Sequence, residues 1–203
     1  MRSLLMVLML ALPAPVFANH PSEDLNPVMA EKEAAFEPLD PRLAPDLALA
    51  DASGGALGLA DFAGQIVALS FVPAGCGAPC TQQQERLADT LASLNASPMR
   101  EMVRFVTVTD NAEVAGIDMF ENWTLARPAS SQTAQDLGDA FGGRTERPDA
   151  APMIHLIDRQ GRQVGIFHGD SFLPLNLVLY INGLTNAHPP PVGPLEQLLG
   201  WFR

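Results

Sequence analysis

The chain has 203 residues, 47% of them apolar, with twelve basic side chains against 23 acidic ones for a net charge of −11. That length and composition allow one domain with tails and a well-filled core. The acidic excess, with no basic run to offset it, argues against nucleic acid or an anionic membrane surface as partner.

Arg2, the apolar run Leu4 to Leu12, then Pro13 and Val16-Phe17-Ala18 have the layout of a secretory signal peptide, so residues 1–18 are expected to be removed after Ala18. The apolar run is far short of the ~20 residues that span a bilayer. No cysteine follows it, so no lipid anchor is expected, and the predicted product is an exported, periplasmic protein without a transmembrane span. Residues 19–45 read as an acidic, proline-containing arm with a short helix around Val28 to Phe36. His20 in that arm is assigned no specific role.

Residues 46–186 read as the folded domain. Leu47 to Asp51, a Gly54-Gly55 turn and Leu57 to Gly64 predict a hairpin and a short turn, followed by Ile66 to Val72 as a buried strand. Leu87, Leu91 and Leu94 then recur at helical spacing. Between strand and helix lies Gly75-Cys76-Gly77-Ala78-Pro79-Cys80, which holds both cysteines of the chain. Pro79 suits a first helical turn, which places Cys76 at a helix N-terminus, where peptide dipoles favour a thiolate.

Three uses of the pair are open. A static disulfide closing so small a ring contributes only about 2 kcal/mol in the chain-entropy model, against roughly 3 for a fifteen-residue loop. Thiol-disulfide exchange would use Cys76 as nucleophile and Cys80 as resolving thiol. Soft-metal binding would use both sulfurs for Cu(I) with a third donor.

Further along, Val103 to Thr109 predicts a strand and Asp110 to Asp118 a polar connection. Ser130 or Ser131 is placed to cap a helix through Ala134, Leu137 and Phe141, which Gly142-Gly143 would stop. A loop from Arg144 to Ala151 leads to Pro152, strand Met153 to Ile157, the turn Asp158 to Gly161, strand Gln163 to Phe167, and a helix starting at Ser171 or Pro174 and running to Leu184. The order β-α-β-α-β-β-α spells an α/β thioredoxin-like fold, a central mixed sheet flanked by helices. Residues 187–203 form a proline-rich tail in which Leu195, Leu198, Leu199, Trp201 and Phe202 make an apolar face, more suited to covering the domain's own edge than to recruiting a partner; His188 is given no role.

In order and spacing, Leu57 to Gly64, Cys76-Gly-Ala-Pro-Cys80, Val103 to Asp110, Trp123-Thr124-Leu125 and Met153 to Gly161 resemble the Sco (SenC-type) family, thioredoxin-fold proteins implicated in copper delivery to, or thiol reduction at, the binuclear copper site of cytochrome oxidase. The resemblance spans roughly residues 47–184 and implies a partner that is another periplasmic or membrane-anchored protein bearing a disulfide or a copper site. Two positions depart from the family pattern: Thr81 stands where proline is usual, and Ala150 where the third copper ligand, a histidine, is expected. Pro152 instead falls where thioredoxins carry a cis-proline beside the active cysteines.

The resemblance thus implies Cys76, Cys80 and Pro152 as the exchange site, with no cofactor. For Cu(I), Cys76 and Cys80 would need Met153, His155 or His168 as third donor. His155 faces the site's side of its strand or is a satisfied sheet histidine, and His168 is expected nearer the surface. A non-catalytic binding protein with a structural disulfide is the alternative of another class.

Overall fold

The structure is a computed structural model that describes residues 25–110, 120–147 and 152–186. The segment read as a signal peptide, His20, Ala150, most of the 110–118 connection and the tail with His188 lie outside the described residues.

Eight strands among the described residues form one mixed sheet in the order β1-β8-β7-β4-β5-β6-β2-β3. Its centre is β4 (Ile66–Val72), parallel to β5 (Val103–Thr109) and antiparallel to β7 (Met153–Ile157). β5 is in turn parallel to β6 (Trp123–Pro128), and β7 is antiparallel to β8 (Arg162–His168). A strand this buried on both faces has no alternation to show, which is why Ile66 to Phe71 reads as one apolar run. The hairpin β2 (Leu49–Ala50) and β3 (Ala56–Leu57) extends the far edge through β6. The thioredoxin arrangement expected from the sequence is present, with α2 (Ala78–Asn95) and α4 (Pro174–Asn186) on one face and α3 (Ala134–Gly142) on the other.

Two strands go beyond the sequence reading. β6 contains Trp123-Thr124-Leu125, which the sequence marks only as part of the family resemblance; Trp123 is buried there, its ring edge-on to Phe105 at 5.8 Å. β1 (Phe36–Leu43) lies in the segment read as an arm, after a helix α1 (Leu25–Lys32) that ends four residues earlier than expected. It pairs with β8 and is irregular between Pro38 and Arg42. An edge strand tolerates Pro38 and Pro41 because every second N–H points away from the partner strand and adds nothing to the ladder, which is why the prolines mask it. Phe36 anchors it at 4.5 Å from Tyr180 and 5.1 Å from Phe167. Gly165 is required there, since a Cβ would lie 2.6 Å from the Phe36 ring.

The N-terminus of α3 is a correction of one detail. Thr133, rather than Ser130 or Ser131, is the cap: its hydroxyl accepts the Asp136 N–H at 3.1 Å while the Asp136 carboxylate accepts the Thr133 N–H at 2.8 Å. Only the residue three before an acidic side chain can form this reciprocal pair, and Asp136 selects Thr133. The hydrogen bonds from the Thr133 backbone and hydroxyl hold the Asp136 carboxyl below its ordinary value.

Candidate functional site

The buried strand β4 delivers the chain to a turn, Pro73 to Gly77, in which the Cys76 N–H donates to the Pro73 carbonyl at 3.2 Å. Gly77 caps α2 at φ 67°, a conformation that costs any residue with a Cβ. Pro79 sits in the first helical turn as expected, and Cys76 stands just before it, with Cys80 one turn in. The two sulfurs are joined as a disulfide, with Cα atoms 5.8 Å apart. Cys80 is 2% exposed whereas Cys76 is half-buried, so attack from outside meets the Cys76 sulfur first.

A second anchor was not read from the sequence. Asp110, the residue after β5, accepts the Ala74 N–H on one carboxylate oxygen (3.4 Å) and the Ala134 N–H on the other (2.8 Å). One side chain thereby ties the cysteine turn to the start of α3. Only its position at a strand's C-terminal end could have marked it.

Under the first turns of α2 lies a polar ring without a charge. Gln84 donates to Ser70 Oγ (3.2 Å) and accepts from Thr107 (2.9 Å), Ser70 and Thr107 share a hydrogen bond at 3.0 Å, and Trp123 Nε1 donates to Thr107 at 3.0 Å. Every donor in this chain finds an acceptor, so the ring is stable when neutral and offers no carboxylate as a proton acceptor.

Both cysteines border a groove of about 550 Å³ between the cysteine turn and α3. Pro152 and Met153 border one side; α3 contributes Ala134, Gly138 and Gly142 together with Gln135 and Asp139; Phe71, His155 and Arg147 line it as well. The structure thus brings Cys76, Cys80, Pro152, Met153 and His155 together, and the Pro152 carbonyl is held by the Gly169 N–H at 2.7 Å. It does not bring His168 to them. His168, expected nearer the surface, is 8% exposed, and its Nε2 lies 2.6 Å from Glu37. Burial opposes ionisation of Glu37, yet hydrogen bonds from Thr145, the Glu146 N–H and His168, with the His168 charge, together lower its carboxyl below the ordinary value. The arm strand carries Glu37, a partner invisible before β1 was placed.

His155 is fully buried, its ring 5.7 Å from that of Phe71 and 5.5 Å from that of Phe141. Burial, with a smaller contribution from the charge of His168, pushes its pKa down to about 3. Gln163 Nε2 lies 3.2 Å from the Phe141 carbonyl and 3.0 Å from His155 Nδ1. The carbonyl can only accept, so the NH₂ end of the amide must face it, and His155 Nδ1 therefore accepts as well. The ring proton is consequently on Nε2.

That tautomer decides how well a metal fits. A histidine that ligates through Nε2 normally donates its other N–H to an oxygen, leaving Nε2 with a lone pair; here Gln163 imposes the reverse. Among the described residues no group of three or more His, Cys, Asp and Glu could hold a metal ion. Two sulfurs suit Cu(I), but His155 does not fit as the third donor and His168 is engaged elsewhere; of the three candidates only the Met153 thioether, which borders the same groove, keeps a soft donor for the metal.

No protein-family model matches the chain, and no curated protein matches it significantly in sequence. Solved structures do. A copper-bound yeast Sco1 superposes with a TM-score of 0.58 at 13% identity, over 75% of this chain and 98% of that one. A SCO1/SenC family lipoprotein from Bacillus anthracis gives 0.55 at 16%, over 73% and 98%. The thioredoxin domain of a thiol-disulfide oxidoreductase from Bacteroides vulgatus gives 0.51 at 22%, over 71% and 96%. The likeness establishes a thioredoxin fold, and the neighbours include the Sco proteins that the cysteine motif resembles.

Proposed function

We propose that the chain is an exported Sco-like protein that works by thiol-disulfide exchange through Cys76 and Cys80, on a periplasmic or membrane-anchored partner, in the maturation of a copper site such as that of cytochrome oxidase. The observation that carries the reading is the asymmetry of the pair: one sulfur at the groove lip, the other shielded in the first turn of α2. The leader read at residues 1–18 supports export, and among the described residues no helix is long and apolar enough to cross a membrane.

In the reduced protein Cys76 is the nucleophile, its thiolate favoured by the helix N-terminus. It attacks a partner disulfide; the S–S bond breaks, a mixed disulfide forms and the partner's released sulfur takes a proton from water. Cys80 then loses its proton to water and attacks the Cys76 sulfur. The partner leaves with both thiols reduced, and two electrons have passed from this chain to it. Exchange in the opposite direction runs through the same intermediates, and the redox poise of the compartment selects between them. A partner chain tethered to Cys76 would run past Pro152, a role supported by its place on the same groove as the cysteines.

The test is reduction of a disulfide-bonded peptide by the reduced protein. Cys76→Ser should abolish it, and Cys80→Ser should stop it at a trapped mixed disulfide. A rate unaffected by Cys76→Ser would sink the reading. Copper carriage is the alternative favoured by the copper-bound neighbour. Anaerobic Cu(I) titration against a competing chelator separates the two: weak two-sulfur binding is expected, and tight stoichiometric binding lost in His155→Ala or His168→Ala would favour the carrier.

A further inference from the structure

His155 leaves one group without a use. Its Nε2 is a donor, is fully buried, and has no hydrogen-bond partner. A buried donor left unpaired is destabilising, and a phenylalanine would pack between Phe71 and Phe141 with no such donor of its own. The groove onto which the ring faces is otherwise apolar or small-walled near it: Phe71, Gly138, Gly142 and Met153. Met153, two residues before His155 and on the same strand face, is half-buried, and its methyl fills the niche at Gly142, where a Cβ would stand 2.7 Å from it. An unbranched thioether is the side chain most able to move aside.

We propose that His155 is a substrate-binding residue: its Nε2–H donates a hydrogen bond to a main-chain carbonyl of the extended polypeptide segment that flanks the partner's reacting cysteine. The inference rests on the exchange reading given above. A segment tethered to Cys76 by sulfur must run beside Pro152 into this groove, since the groove begins at the disulfide. The acceptor is uncharged, because a neutral imidazole cannot offset the desolvation of a carboxylate. It is a main-chain oxygen because α3, besides Gln135 and Asp139, presents Ala134, Gly138 and Gly142 to the groove, and a row with two missing Cβ atoms lets a backbone approach. Gln163 is the positioning residue, since it holds the proton on Nε2.

The test uses the Cys80→Ser protein joined at Cys76 to an end-capped Ala-Ala-Cys-Ala-Ala peptide, whose acceptors beyond the sulfur are all main-chain carbonyls. Imidazole 15N–1H correlation should show Nε2 protonated in the free protein. On forming the mixed disulfide, its proton should move downfield and exchange more slowly with water. In the otherwise wild-type protein, His155→Phe should keep the fold and lower kcat/KM for the disulfide form of that peptide roughly fivefold to tenfold, the weight of one hydrogen bond. A resonance that does not move, a proton found on Nδ1, or an unchanged kcat/KM would overturn the proposal. Failure of the parent reading looks different: Cys76→Ser would then leave exchange intact, whatever the imidazole reports.

Discussion

The two faces of the sheet are built to different standards. On one, α1, α2 and α4 lay Leu87, Leu91, Leu94, Leu177, Tyr180 and Ile181 against Phe36, Phe105 and Phe167. On the other, α3 works almost alone, with Leu137 and Phe141 meeting Val67, Leu69 and Phe71 while the hairpin covers the far edge. Burial is complete under the first and is interrupted under the second by the groove. The contrast teaches a division of labour: the three-helix face supplies the stability, and the thinly covered face spends little on packing and leaves room for a partner beside the disulfide. Helix α2 joins the two, since its body packs on the first face and its first turn carries the sulfurs to the second.

The largest test of that division is Phe105→Ala. The side chain is fully buried at the centre of the three-helix face, and its removal should cost about 4 kcal/mol in denaturant unfolding. The exchange rate of the folded molecules should be unchanged. Phe141→Ala, on α3, should cost less, about 3 kcal/mol, because the space it leaves adjoins the groove and can be filled by Met153. It should also slow exchange. Equal costs with equal kinetic effects would break the comparison.

Next comes acid stability, which the groove face should dominate. The His155 pKa is about 3 when folded and near the ordinary 6.5 when unfolded. Between these values the unfolded chain binds the extra proton, so stability falls as pH is lowered from 6.5 towards 3 and is fully retained above 6.5. At pH 4 the loss is about 3 kcal/mol. His155→Phe should remove most of this slope and leave the smaller part that the lowered carboxyls of Glu37 and Asp136 contribute, which paired urea titrations at pH 7 and pH 4 would detect. An unaltered slope in the variant would place the acid sensitivity elsewhere.

Gln84→Leu probes the seam between the faces. It strips Ser70 and Thr107 of a shared partner under the cysteine-bearing turn, at an expected cost of about 2 kcal/mol. Because the ring carries no charge, the pH dependence of Cys76 alkylation should not change. A shifted profile would mean that the ring tunes the sulfur after all.

These residues also mark how far the sequence alone reaches. The strand-turn-helix around Cys76, the strand pair around Pro152 and the closing helix are legible because hydrophobic period, glycine and proline all point the same way there. β1 is not, since Pro38 and Pro41 look like linker until β8 offers an edge to pair with. The placement of Cys76, Cys80 and Pro152 in one groove follows from the fold. Asp110 does not, because its two partners lie on elements far from it in the chain; nor does the Gln163–His155 contact, which spans one hairpin but depends on the irregular register between Leu156 and Ile157 that alternation does not show. His168 shows the same limit: it reads as a strand-end surface histidine until β1 brings Glu37 against it.

The smallest expected effect divides the faces most cleanly, since it compares two caps of similar worth. Thr133 caps α3 on the groove face, accepting the Asp136 N–H. Ser97, beyond the far end of α2, accepts the Met99 N–H at 3.3 Å and donates to the Leu94 carbonyl at 2.7 Å. Replacing either by alanine should lower stability by about 1 kcal/mol. Thr133, however, precedes Ala134, whose N–H is held by the same Asp110 that fixes the cysteine turn. Fraying α3 there loosens the groove wall and the turn together, whereas fraying at Ser97 reaches only the three-helix face. Thr133→Ala should therefore slow peptide exchange a fewfold while Ser97→Ala leaves it alone, and equal rates in the two variants would show that the thin face carries no functional burden of its own.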